Sequence, residues 1–373
     1  MVEGIDAVWA FLTAALVSLV AVRPAEWLAR RVGAMDEPGP RSQHTVPTPR
    51  ISGLAILAGI EVAGWIWLPT NEETVCILLG AVAVAMVGAL DDVFDLPAGV
   101  KLGGQLAAAI IPVIGGVYPA NLTVPFLGGF ELGWVAYPLT VLGIALVMNI
   151  INLIDGIDGL AAGFCAIACA AMAIIAVSLE RYEAGALAAL TAGGALGFLR
   201  HGFPPASSFM GDTGSNLLGY MIAVASVQGA LKTNAVIALV FPLVILAVPL
   251  LDTAFVVLKR IKHRQPIFQA DRWHFHHRMA NIGFSQRRTL AYLYGWTLVL
   301  ALLALALRFV PYSDDRGNFD PLWTALMVLV ILIAVSFTVY IVYVLEILKL
   351  RRSTGEDREK GQQDRAPERG TRP

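Results

Sequence analysis

Charge is what this chain has least of. Asp, Glu, Lys and Arg make up 15% of its 373 residues, against about 25% in a soluble domain. That shortage excludes an ordinary water-soluble globule, and the 57% hydrophobic content points to lipid as the solvent. Cysteine is scarce as well. Cys76, Cys165 and Cys169 all fall in apolar runs, and the last two, spaced i, i+4, have no further partner at metal spacing. A disulfide framework and a cysteine zinc site are thereby excluded, and the three read as reduced structural residues. A net charge of −1 says little by itself, the distribution of charge says more, and no nucleic-acid partner is expected. The first residues also lack the basic stretch of a cleavable leader: Glu3 and Asp6 stand there, so MVEGIDAVWAFLTAALVSLVAV reads as a retained span.

Apolar runs are abundant. A bilayer core takes about 20 residues of helix, and runs near that length lie at 5–22, 51–68, 74–90, 105–120, 134–154, 161–179, 184–199, 212–229, 234–258, 290–310 and 322–347. The expected fold is therefore an all-α polytopic membrane domain over residues 1–350, with about eleven spans and a charged, disordered tail at 351–373. Eleven spans put the termini on opposite sides. Of the 27 Lys and Arg, 23 then fall on one side, leaving only Arg181, Lys232, Arg308 and Arg316 on the other. The positive-inside rule makes the N-terminus external and the C-terminus cytoplasmic.

Polar segments break this pattern, and with that topology they share the cytoplasmic side. They are PGPRSQHTVPTPR, GALDDVFDLPAGVKLGGQ, NLIDGIDG, HGFPPASSFMGDTGS and KRIKHRQPIFQADRWHFHHRM. Five carboxylates stand out in them: Asp91, Asp92, Asp155, Asp158 and Asp212. Like charges in one place repel unless a cation lies among them. Hard oxygen donors favour Mg²⁺ or Mn²⁺, and Mg²⁺ takes one or two carboxylates plus substrate phosphates, so not all five can be ligands.

In NIINLIDGIDG, Asn149, Asn152, Asp155 and Asp158 recur every third residue, a spiral on a helix. Gly156 and Gly159 predict that the helix opens near Asp155. The amides could equally hydrogen-bond between helices, with the aspartates solvated at the interface. For Asp212 in GDTGS the alternative is a helix N-cap, a role that Thr213 or Ser215 could also fill. His274, His276 and His277 stand between Arg272 and Arg278. They suit phosphate better than zinc, although a basic loop on lipid headgroups would account for the arginines.

Together these segments resemble the polyprenyl-phosphate N-acetylhexosamine-1-phosphate transferases, over roughly residues 1–348. That superfamily includes initiators of O-antigen and teichoic acid synthesis and the phospho-MurNAc-pentapeptide translocase. The resemblance implies that LDDVFDL supplies Asp91 and Asp92 near the lipid phosphate and metal, and that Lys101 matches a family lysine. It further implies that Asn152, Asp155 and Asp158 contact nucleotide-sugar or shape the metal site, with Asn149 opening the same motif. By the same resemblance Asp212 in FMGDTGS binds Mg²⁺, with Asp92 beside it, and HFHHRM supplies diphosphate and sugar contacts. The HFHHRM form follows the hexosamine branch rather than the translocase. His44 closes Arg41-Ser42-Gln43-His44, where relatives often carry a lysine at the second place. The segment 202–206 reads Gly-Phe-Pro-Pro-Ala, without a family asparagine.

The implied reaction moves an N-acetylhexosamine 1-phosphate, GlcNAc first, from the UDP-sugar to undecaprenyl or another polyprenyl phosphate at the inner leaflet of the bacterial cytoplasmic membrane. It would release UMP, by direct attack or through an aspartyl-phosphate. A homodimer through the spans is compatible with the sequence, which shows no interface. An ion-coupled transporter, the reading from another class, would place polar groups at mid-membrane and on both sides.

Overall fold

The computed structural model describes residues 3–37, 46–124, 128–230, 244, 246–262, 275–281, 283–312 and 319–340. Helices dominate. In chain order they are α1 (Gly4–Val32), α2 (Gly53–Trp67), α3 (Glu72–Phe94), α4 (Ala98–Ile114), α5 (Ala136–Ile154), α6 (Leu160–Ser178), α7 (Tyr182–Gly202) and α8 (Gly211–Ala230). Then come α9 (Ala247–Lys262), α10 (Phe275–Asn281), α11 (Gln286–Phe309) and α12 (Pro321–Tyr340). Over the described residues a helix occupies each of the eleven expected segments. Seven are long and apolar enough to cross a membrane: α1, α3, α5 with the turn before it, α6, α7, α11 and α12. Among the others, α2 and α4 have 15 and 17 residues, short of a full span. The chain is a polytopic membrane protein.

Two local expectations need correction. The first span does not end at residue 22. Helix α1 runs on through Arg23, Pro24, Arg30 and Arg31 for 29 residues. At about 1.5 Å per residue it outruns a bilayer core of about 30 Å. The fourth segment starts earlier than expected, so Lys101 lies on the first turns of α4 rather than in a loop. Two small antiparallel pairs, absent from the sequence reading, join Met35–Asp36 (β1) to Thr48–Pro49 (β2) and Asn121–Val124 (β3) to Gly128–Glu131 (β4). The tail at 351–373 lies outside the described residues.

Packing follows residue size. Between helices in lipid there is little hydrophobic drive, so small side chains let backbones approach. On α1, Ala7, Ala10, Ala14 and Ser18 are buried, and they recur every three or four residues. Opposite them on α7 stand Gly193 and Gly197, where an added Cβ would strike the carbonyls of Phe11 and Ala15. The Ser18 hydroxyl donates to the Gly194 carbonyl at 2.8 Å. Large apolar side chains such as Leu16, Val20, Leu142 and Leu332 face outward, as in a protein solvated by lipid. Helix α8 is the hub: Leu217, Leu218, Tyr220, Met221, Ile222 and Val224 are all buried, and it packs on α2, α3, α5, α6 and α7.

Candidate active site

The C-terminal ends of α3, α5 and α7 meet the N-terminal ends of α2, α4 and α8. There a cavity of about 410 Å³ is lined by Asp36, Arg50, Asp92, Asn152, Asp155, Asp158, Asp212 and Gln286, with the backbone of 156–159 and 208–211. The helix opening expected near Asp155 is present. Helix α5 stops at Ile154 and α6 starts at Leu160, with Gly159 at φ +76°, a left-handed conformation that glycine adopts without strain. Four of the five singled-out aspartates line the cavity; Asp91 is not among the lining residues and meets Lys101 instead.

Asp212 sits on the first turn of α8. Its Oδ1 accepts from Asn152 Nδ2 at 2.8 Å, and its Oδ2 pairs with the Lys101 ammonium. Lys101 also reaches Asp91 Oδ2 at 3.0 Å, so one cation bridges two carboxylates. Asn152 further donates to Ser215 Oγ at 2.9 Å, and Asp158 Oδ2 accepts from the Ala206 amide at 3.1 Å.

Asp92 lines the cavity and is bonded to the N-terminus of α8. Its Oδ1 accepts from the Asp212 amide at 2.9 Å, and its Oδ2 accepts from the Thr213 amide at 2.9 Å and the Thr213 hydroxyl at 2.6 Å. Arg50 Nε lies 3.4 Å from Oδ1. The N-terminus of α8 is thus capped from α3, not by Asp212, Thr213 or Ser215. First-turn amides and the helix dipole both favour a carboxylate there. Gly211, at φ +63°, permits the approach; a Cβ would run into the Arg50 carbonyl and the Asp92 carboxylate.

Asp155 is the one of the five aspartates to which no described residue donates a hydrogen bond. Burial first, then the charges of Asp92 and Asp158, push its pKa up to about 8.

Asn149 does not line the cavity. Its amide donates to Gln105 Oε1 and to the Ala145 carbonyl, each at 2.8 Å. Gln105 passes the chain to Asn216 at 2.9 Å, and Asn216 donates to the Asp212 carbonyl at 2.9 Å. This is the interhelical alternative, realised at Asn149. Asn149→Ala is accordingly expected to lower stability by about 1 kcal/mol, typical of a hydrogen bond between membrane helices. Transfer should stay within a few-fold, whereas Asn152→Ala should lower it far more; parallel melting and rate measurements in detergent check both.

His44, Arg272 and His274 lie outside the described residues, and for His276 and His277 only the backbone, on α10, is described. Arg278 is buried, its guanidinium carbon 5.9 Å from the Phe275 ring centre, and is not among the cavity residues. The amide of Phe275 donates to Asp252 Oδ1 at 2.8 Å, which ties α10 to α9.

The sequence reading passed over Arg50, Gln105, Asn216 and Gln286. Helical spacing held a signal for two of them, since Gln105 stands four residues after Lys101 and Asn216 four after Asp212.

For a metal, the donor chemistry divides the aspartates. Among the described residues no three His, Cys, Asp or Glu side chains converge as a metal-holding group. Mg²⁺ needs no such cluster when substrate phosphates and waters complete its shell. Asp212, facing Asp91 across a cation, fits a hard divalent ion. Asp92 is the poorer candidate, because three donors from α8 take up more of its lone pairs.

Residues 74–230 match the family described as Glycosyl transferase family 4. The chain is 38% identical over 327 residues to a Bacillus subtilis protein named "Probable undecaprenyl-phosphate N-acetylglucosaminyl 1-phosphate transferase", covering 87% of this chain and 88% of that one. It is 32% identical to the decaprenyl-phosphate N-acetylglucosaminephosphotransferase of Mycobacterium tuberculosis, over 82% of this chain and 83% of that one. To the undecaprenyl-phosphate alpha-N-acetylglucosaminyl 1-phosphate transferase of Escherichia coli K12 it is 29% identical, over 87% of each chain.

Proposed function

The chain belongs to glycosyl transferase family 4, and from that premise we propose that it transfers N-acetylglucosamine 1-phosphate from a UDP-sugar to a polyprenyl phosphate. The observation that carries the reading is the polar cavity of about 410 Å³ at the helix ends, with Asp212 held between Asn152 and Lys101. With the N-terminus outside and eleven spans, that cavity opens to the cytoplasm at the inner leaflet, within reach of both a soluble nucleotide and a lipid headgroup. The skew of Lys and Arg toward that side supports the placement.

In the reaction an oxygen of the lipid phosphate forms a bond to the sugar-linked phosphorus. The bond from that phosphorus to the bridging oxygen breaks, and UMP leaves with the electron pair. Such a transfer gains most from positioning and from charge placed where the transition state needs it. Asn152 and Lys101 fix the rotamer of Asp212. Asp158, tied to the Ala206 amide, holds one wall in place. Asp155 keeps a proton up to about pH 8, which suits it to give or accept one near neutrality. Mg²⁺ held by Asp212, with Mn²⁺ as its substitute, would neutralise the diphosphate and stabilise the transferring phosphoryl group.

The test is transfer by detergent-solubilised protein given undecaprenyl phosphate and labelled UDP-N-acetylglucosamine, with Mg²⁺ or with EDTA. UMP and a labelled lipid should appear with Mg²⁺ and vanish with EDTA. Folded protein that makes no product from any UDP-hexosamine would overturn the reading. Product only from UDP-MurNAc-pentapeptide would move the chain to the translocase branch.

A further inference from the structure

We propose that Arg50 is a substrate-binding residue that holds phosphoryl oxygens in the cavity, an inference that rests on the transferase reading above. Five aspartates line this cavity: Asp36, Asp92, Asp155, Asp158 and Asp212. Arg50 is the single Lys or Arg among the described residues that line it. A substrate bearing phosphates cannot enter such an acidic space without a cation to meet it, and a metal at Asp212 leaves the Asp92 side unserved.

The backbone holds Arg50 firmly in place. Its amide donates to the Ala34 carbonyl at 3.1 Å, and its own carbonyl lies against Gly211. On either side the Phe209 amide donates to the Pro49 carbonyl at 2.8 Å, and the Ser52 amide to the Phe209 carbonyl at 3.1 Å. The guanidinium is held more loosely. Nε stands 3.4 Å from Asp92 Oδ1, and Nη1 stands 3.6 Å from Asp95 Oδ1 on a carboxylate that is 86% exposed. Both separations exceed a good charge-assisted hydrogen bond of about 2.7–2.9 Å. Nη2 enters neither of these contacts, and the side chain as a whole is 28% exposed. A guanidinium has five donors in a planar fork that matches two phosphoryl oxygens. Here it rests on two carboxylates while keeping donors for a ligand.

Asp92 keeps its three α8 donors without Arg50, so Arg50→Gln should fold. Two measurements on the full-length detergent-solubilised protein test the assignment. One is direct binding of UDP in Mg²⁺ without lipid; the other is KM for polyprenyl phosphate at saturating UDP-sugar. Arg50→Gln is expected to weaken one of them about 10–100-fold, the range for charged hydrogen bonds, with Arg50→Lys recovering part. A loss in UDP binding identifies the nucleotide diphosphate as the group held. A loss confined to the lipid KM identifies the lipid phosphate. A lower melting temperature or kcat with both affinities unchanged would make Arg50 a structural partner of Asp92 and overturn the proposal. Wild type that neither binds UDP nor transfers would instead overturn the functional reading, and the inference with it.

Discussion

Asp212→Asn is expected to lower the transfer rate about a thousandfold while the protein still folds. The substitution is close to isosteric. An asparagine oxygen can still accept from Asn152, as Oδ1 of Asp212 does at 2.8 Å. The negative charge facing Lys101 and Asp91 is what disappears. A metal's share in stabilising a transferring phosphoryl group is several kcal/mol, and each 1.36 kcal/mol is about tenfold in rate. Rates of UMP release against Mg²⁺ concentration check it. The variant should stay slow at any Mg²⁺ level, with a melting temperature near that of the wild type. A variant that regains full rate at high Mg²⁺ would confine the role of Asp212 to metal affinity, and one at wild-type rate throughout would move the metal to another carboxylate.

Asp92→Ala should have its main effect on stability. The carboxylate is fully buried, and its loss uncaps two amides of α8 and leaves Arg50 with exposed Asp95 alone. Loss of a helix cap costs about 0.5–2 kcal/mol, and leaving the buried Thr213 donors unsatisfied adds about 1–3 kcal/mol; Arg50, 28% exposed and 3.4 Å away, adds little. Thermal unfolding in detergent should show a large drop for Asp92→Ala and a smaller one for Asp92→Asn, which keeps one accepting oxygen. Rates would fall as well, because the amide that Asp92 holds belongs to Asp212. An unchanged melting temperature with lost metal dependence would return Asp92 to the ligand role expected from its place in LDDVFDL.

The helical segments and the gathering of polar groups were legible because both are written locally. Apolar runs mark helices, and Gly156 and Gly159 mark the break after Ile154. What was not legible depends on partners distant in sequence. Asp91 and Asp92 are adjacent and chemically alike, yet Asp91 turns to Lys101 and Asp92 to the end of α8. Nothing in Asp-Asp says which will do which, since the answer lies in how α3 packs on α8. Asn149 and Asn152 divide in the same way, one joining Gln105 and the other Asp212. Arg50 counted in the sequence only toward orientation, because its chemistry depends on β2 lying beside Phe209. The histidine cluster rests on its residue types and its resemblance, with no described side chain to place it.

The meeting of Asp92 with the first turn of α8 also bears on how the protein is made. Asp92 and the Asp212 amide it accepts from are 120 residues apart. A nascent chain therefore commits α3 to the bilayer while that carboxylate still lacks every donor it will have from α8. The ribosome must deliver α4 through α7 before the partner emerges. Until then water must stand in for the α8 amides at that carboxylate, and its burial waits on α8.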